Sequence, residues 1–399
     1  MPRIAGLTPC YPPRVSQPFN DVNIDPHDLS TEAQLIDGAL GQNGADSEHD
    51  QKIAWAAPWT MLRDCARTQL VVTGVSGFLG AHFAERALAE GHKVVGVYHS
   101  RGRRKSELQS ALITRGAELS IGDVLDGATL RAAMTGADCV CHFAAAFRES
   151  RASEEYFFRL NVQGTINVLK AAAEAGVRRL ILCSTAGIYG QRVSGIIDEA
   201  SPVKPSNIYE RSKAAAEQAV RDLAPSLGLE YVILRPAAVY GPRDERLLKL
   251  FRSAAKGRFP LFGSGAGRRH MVHVGDVADA FLRACVIPQA ASQELIIAGP
   301  RALPLRQLLA ELATVLGKAK CGPQLPLYPM QLLSAFVEDV AKVLHVSPPL
   351  YRRRMDFYLT DTAFSSARAE EVLGWRPKIE LREGLARTFR SYREQGLLG

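Results

Sequence analysis

Tyr209 and Lys213 stand four residues apart in a stretch, 207–224, whose apolar spacing predicts a helix, so a phenol and an ammonium share one face. A phenol with a reference pKa of about 10 is a poor acid or base at neutral pH. A neighbouring ammonium favours the phenolate and brings it toward the working range, so the pair could move a proton at a substrate oxygen. The same pair on a solvated helix face would do nothing, and its surroundings must decide. A second chemistry-bearing stretch is Leu70–Gly80, LVVTGVSGFLG. Strand-forming residues run into Gly74, Gly77 and Gly80, and an amphipathic helix follows at once. Gly74 tolerates the unusual φ of a sharp turn, Gly77 lets a pyrophosphate approach the backbone, and Gly80 lets helix and strand pack closely. The helix N-terminus then offers N–H groups to phosphates.

Elements that could position these residues alternate along the chain. Strands are predicted at 69–73, 93–98, 117–120, 138–143, 179–184 and 230–234. Between them lie helices at 78–90, 105–115, 127–135, 153–176 and 207–224. Such alternation implies an α/β fold, a doubly wound parallel sheet (Rossmann) with helices on both faces. We expect the dinucleotide-binding domain over 67–236 and a smaller C-terminal substrate-binding region over 237–399, some of whose segments return to the Rossmann core. Helices are expected there near 243–256, 305–316 and 328–344. Residues 1–66 hold seven of the 22 prolines and a cluster of acidic residues without a clear period, and read as a disordered extension. Docking through Ile53, Trp55 and Trp59 is the alternative.

The net charge of +8 is uneven: residues 1–60 carry −5, leaving a basic body that suits an anionic cofactor or substrate. The basic residues are spread without aromatic interleaving, so nucleic acid is discounted. No apolar run is long enough to span a membrane and no secretory pattern opens the chain, which points to the cytoplasm. Seven cysteines form no CxxC pair, so reduced, largely buried thiols and no metal are expected.

The ordered motifs resemble the extended short-chain dehydrogenase/reductases, including the NAD-dependent epimerase/dehydratase group and the 3β-hydroxysteroid dehydrogenase-like reductases. TGVSGFLG is followed by Gly122-Asp123 with Asp126, HxAA at His142–Ala145 and NVxGT at Asn161–Thr165. Then come ST…YG at Ser184–Gly190, YxxxK at Tyr209–Lys213, RPxxVYGP at Arg235–Pro242 and RxxxHVxDVA at Arg269–Ala278. The resemblance spans about residues 68–395. It implies an NAD(P)-dependent enzyme with Thr185, Tyr209 and Lys213 catalytic, Thr185 bonding the substrate oxygen and Lys213 also holding the nicotinamide ribose. Cofactor contacts are implied for Gly74, Ser76, Gly77, Phe78, Leu79, Gly80, Asp123, Val124, Ala144, Ala145 and Pro236. Asp123 would meet the adenine, or serve only as a turn or cap residue. Thr185, Ala238 and Arg269 would line the substrate site, and a homodimer paired through the helices at 153–176 and 207–224 is expected.

Where NAD-preferring relatives place an acidic residue after the second strand, this chain has Tyr98, then Arg101, Arg103, Arg104 and Lys105. Guanidinium groups match a 2′-phosphate, so NADP is favoured over NAD, with Arg101 and Arg104 as its contacts; a solvated basic loop is the alternative. Ala186 and Gly187 stand where sugar-nucleotide dehydratases carry an Asp–Glu pair, which argues against dehydration. Ala238 replaces the Asn of many sugar-nucleotide epimerases, whereas Arg269 matches a position that often meets a substrate diphosphate. Tyr328, Leu332, Phe336, Val340 and Leu344 recur at helical spacing, and the segment from Pro348 to Pro377 resembles the tail of the steroid-dehydrogenase-like branch. That helix suits a lipid-like substrate or a membrane surface, or is ordinary core packing. The leading expectation is a net oxidoreductase on a hydrophobic secondary alcohol or ketone. A nucleotide-sugar epimerase and a non-catalytic dinucleotide sensor are the alternatives.

Overall fold

The computed structural model describes residues 68–99, 106–147, 153–190, 195–343 and 358–398. Expectations for residues 1–66, for Arg101 and Arg104, and for Cys10 and Cys65 fall outside them. The chain runs β1 (Gln69–Thr73), α1 (Phe78–Ala89), β2 (Lys93–Tyr98), α2 (Ser106–Thr114), β3 (Glu118–Ile121), α3 (Gly127–Met134) and β4 (Cys139–His142). It continues through α4 (Glu154–Phe158), a π-helical turn (Arg159–Gln163), α5 (Gly164–Glu174), β5 (Arg179–Cys183), α6 (Ile208–Leu223), β6 (Glu230–Pro236), β7 (Ala238–Tyr240) and α7 (Glu245–Ala255). The remainder is β8 (Leu261–Phe262), β9 (Arg268–His273), α8 (Val274–Val286), β10 (Gln293–Ile297), β11 (Ala302–Pro304), α9 (Leu305–Val315), β12 (Gln324–Leu325), α10 (Leu327–Val343), α11 (Ala367–Leu373) and α12 (Leu381–Glu394).

Seven parallel strands form the central sheet in the order β10-β6-β5-β4-β1-β2-β3. Period-two alternation distributes each strand between two cores. Leu70 and Val72 of β1 and Ile181 and Cys183 of β5 face one layer with α1 and α8. Val71, Leu180 and Leu182 face the other, with α3, α5 and α6. This is the doubly wound arrangement. A third core gathers α7, α9 and α12 around Phe251, Leu312 and Tyr392.

Two segments from beyond residue 237 lie on the central sheet. β10 adds the seventh strand beside β6, and α8 packs on α1, where Phe83 and Phe281 rings meet at 6.1 Å and Arg86 pairs with Asp279 at 3.0 Å. The single helix expected at 153–176 is instead α4 and α5 joined by a π turn, with Asn161 buried inside the turn. On α10, Tyr328 and Leu332 are 70% and 55% exposed, so these two are not core.

Candidate active site

In a parallel sheet the carboxyl ends of the strands line one edge, where ligands bind at the switch in strand order. β1 ends there in Gly74, β4 in the loop carrying Ala144 and Ala145, β5 in Ser184 and Thr185, and β6 in Pro236. Gly74 has φ +70°, and a Cβ there would stand 2.7 Å from Ala144 N. A Cβ on Gly80 would collide with the Gly74 carbonyl, so the turn needs both glycines. Gly77 is the exposed N-cap of α1 and makes no side-chain capping bond, while Ser76, Phe78 and Leu79 are half-buried beside it. The cradle thus has the shape and the open helix terminus that a pyrophosphate requires. Asp123 accepts from Leu125 N at 3.0 Å and lies 3.4 Å from His99 Nε2, while Val124 is buried. Asp126 caps α3.

A buried relay links this turn to the helix carrying Tyr209 and Lys213. Thr165 Oγ1 donates its single proton to Asn161 O at 2.6 Å, so at 3.1 Å it must accept from His142 Nε2. His142 Nδ1 is then an acceptor, and Thr73 Oγ1 donates to it at 2.7 Å. Thr73 Oγ1 in turn accepts from Ala144 N at 3.4 Å. Burial first, and the charge of Lys213 second, push the His142 pKa down to about 3, which keeps the imidazole neutral and the relay fixed. Asn161 clamps the loop after β4 by accepting from Ala146 N (2.7 Å) and donating to Ala146 O (3.2 Å). It also donates to Ser212 Oγ on α6 at 2.8 Å. The extra residue of the π turn is what brings a polar side chain to this junction.

α6 starts with Asn207, whose side chain caps Glu210 N at 3.1 Å, while Glu210 Oε2 accepts from Ser206 N and Oγ at 2.7 Å. This double anchor fixes the rotation of the helix. Lys213 is 2% exposed. Neither its ammonium nor the Tyr209 hydroxyl hydrogen-bonds any described residue, although both sit at the ligand-binding edge. Burial lowers the Lys213 pKa, opposed by Cys183 and Glu217. The sequence led us to expect Lys213 to draw the phenol pKa down. In the chain itself burial raises it, Cys183 and Glu210 add to the rise, and Arg246 is the cation that opposes it. Thr185 caps the short helix after β5 by accepting from Gly187 N at 3.1 Å, which leaves its own proton for a ligand. Gly187 allows this closeness: a Cβ there would lie 3.2 Å from both Thr185 Oγ1 and Glu210 Oε1.

The substrate residues are less united. Ala238 is exposed on β7. Arg269 is buried, with Nη1 bonded to the carbonyls of Arg268 (2.8 Å) and Thr360, and burial lowers its pKa to about 10. It lines a small cavity with Tyr240, Met271 and Arg301. Phe147, whose ring meets that of Tyr209 at 4.8 Å, and Arg246 went unread in the sequence. Their partners are distant along the chain, and no local spacing marks them. Asn161 was visible only as part of a landmark motif. Apart from this site, Cys139, Cys141 and Cys285 are buried together with their Sγ atoms within 4.8 Å of one another. All five described cysteines are free and buried.

The model of the NAD dependent epimerase/dehydratase family matches residues 70–298, which spans the turn, the relay and the Tyr–Lys helix. The chain belongs to this family. UDP-glucose 4-epimerase of Mycolicibacterium smegmatis is 30% identical over 82% of this chain and 98% of its own length. The mouse sterol-4-alpha-carboxylate 3-dehydrogenase, decarboxylating, is 28% identical over 80% of this chain and 90% of its own. Among solved structures, the dTDP-glucose 4,6-dehydratase DesIV of Streptomyces venezuelae, with NAD and TYD bound, superposes with a TM-score of 0.67 at 28% identity, covering 83% of this chain and 99% of that one. The protein is thus an extended short-chain dehydrogenase/reductase, an enzyme that uses a nicotinamide cofactor. The glycine cradle, the open N-terminus of α1 and the unbonded Lys213 ammonium fit that group. No helix among the described residues is long and apolar enough to cross a membrane.

Proposed function

We propose that the protein is an NADP-preferring oxidoreductase acting on the secondary alcohol or ketone of a hydrophobic, steroid-like small molecule, working as a homodimer in the cytoplasm. The observation that carries this reading is the Tyr209–Lys213 face, where two polar groups near the end of β5 have no hydrogen-bond partner among the described residues. A bound nicotinamide supplies or accepts the hydride. Tyr209, kept neutral by burial, holds the proton that a ketone oxygen takes up as it is reduced. Thr185, whose oxygen already accepts from Gly187 N, donates to the same substrate oxygen. Lys213 bonds the cofactor ribose. Ala186 and Gly187 offer no acid–base pair for eliminating water.

The epimerase alternative leaned on Arg269, and the engagement of its Nη1 with two backbone carbonyls weakens that support. Both activities occur among the relatives, so the test is a panel of hydroxysteroids, β-keto acyl compounds, and UDP- and GDP-sugars, read by NADPH absorbance and product analysis. Net NADPH turnover with a hydrophobic ketone is expected. Sugar interconversion without net turnover would replace this reading with the epimerase.

For cofactor choice, charge-assisted hydrogen bonds contribute about 1.5–3 kcal/mol each, roughly ten- to hundredfold in affinity. Arg101→Ala should weaken NADP by about that factor and leave NAD nearly unchanged, as titration of both dinucleotides would read. Equal weakening of both would return the arginines to a solvated loop.

A further inference from the structure

Arg246, near the start of α7, reaches the surroundings of Tyr209 from the C-terminal region. Its Nε and Nη2 donate to Asp244 Oδ1 (2.6 Å) and Oδ2 (2.8 Å), and Nη2 also donates to Val239 O (2.7 Å). Asp244 is 1% exposed and caps α7 through Arg246 N at 3.0 Å, so the carboxylate is fixed and the guanidinium plane with it. That plane lies over the Phe78 ring at 5.0 Å and the Phe147 ring at 5.6 Å. Phe78 begins α1 at the glycine cradle, and Phe147 stands edge-on to the Tyr209 ring at 4.8 Å. Nη1 hydrogen-bonds no described residue. The result is a pre-oriented guanidinium with one uncommitted edge, set between the cofactor cradle and the phenol whose burial-driven pKa rise it opposes.

We propose that Arg246 Nη1 takes an anionic oxygen, from a carboxylate or a phosphate, that the substrate carries close to its reacting alcohol or ketone. The enzyme then selects acidic substrates whose apolar body packs on Phe147. The inference rests on Tyr209 being the group that meets the reacting oxygen, and so deepens the function proposed above. The cofactor pyrophosphate is the other anion that could claim this edge, although the turn and the α1 terminus already provide for it.

The test uses the full chain loaded with NADP and calorimetric titration of a matched pair, 3-hydroxydecanoate and its methyl ester. The parent should bind the acid at least about tenfold more tightly than the ester, as one charge-assisted bond contributes. Arg246→Met should bring the two to parity while NADP affinity stays within about twofold. Arg246→Gln, which can still bond Asp244, gives the same readout should the Met variant not fold. Absence of acid preference in the parent, or its survival in both variants, overturns the proposal. A tenfold loss of NADP affinity in the variants gives the guanidinium to the pyrophosphate and overturns it too. Binding also separates the two readings: full turnover by Tyr209→Phe would defeat the catalytic assignment, whereas the acid preference is read without turnover.

Discussion

Tyr209, Lys213, Glu217 and Arg221 follow one another at four-residue spacing along α6, and the C-terminal half of that row is saturated with partners. Arg235, 2% exposed, donates to Glu217 Oε1 (3.0 Å) and Oε2 (2.6 Å), to Tyr189 Oη (2.8 Å) and to Glu294. Arg221 donates to Glu294 Oε1 at 2.8 Å and closes the network. Lys213, equally buried, hydrogen-bonds no described residue. One buried cation is thus committed to holding β6 and β10 against α6, while the other ends a largely buried side chain with no hydrogen-bond partner among the described residues. A buried ammonium without a partner costs stability, and under the proposed function the cofactor supplies the missing partner.

That contrast can be broken from either half. At the N-terminal half, Tyr209→Phe removes only the hydroxyl. Turnover should fall by about two to four orders of magnitude with dinucleotide affinity unchanged, as steady-state rates and fluorescence titration would read. At the C-terminal half, Arg235→Leu strands the Glu217 carboxylate. Unfolding free energy should drop by about 3–5 kcal/mol in denaturant titration, while dinucleotide affinity of the folded protein stays near the parent value.

A smaller effect appears in acid. His142 and His273 are both buried, with pKa values pushed down to about 3 and about 4. The unfolded chain binds protons at these groups near pH 6.5, so their contribution is complete above that pH and is lost as pH falls toward 4. Each should steepen the loss by up to about 1.4 kcal/mol per pH unit, measured by denaturation between pH 7 and 4. A flat profile would show that both imidazoles are protonated in the folded chain.

The nucleotide-binding half was legible because its requirements are backbone requirements. A strand, a turn with positive φ at Gly74 and a close approach at Gly80 need particular residues at particular spacings, and spacing is what a sequence displays. Tyr209 and Lys213 were legible for the same reason, as an i, i+4 pair on a helix. The sense of the Tyr209 shift was not legible, because it depends on how much water the fold removes and on Arg246, a cation from another lobe. The setting of Arg269 was hidden for a related reason: its position in the motif was visible, but not the carbonyls of Arg268 and Thr360 that engage its Nη1. The π turn at Asn161 interrupts an apolar pattern that reads as continuous helix, and only the packing of the loop after β4 calls for it.

The most direct test is Lys213→Met, read in one preparation by dinucleotide titration and by denaturant unfolding at pH 7. We predict affinity about ten- to hundredfold weaker, together with an unfolding free energy equal to or above that of the parent, because the substitution removes an unbonded buried charge. Unchanged affinity, or a loss of stability like that expected at Arg235, would show that Lys213 serves the fold and not the cofactor, and would contradict the account.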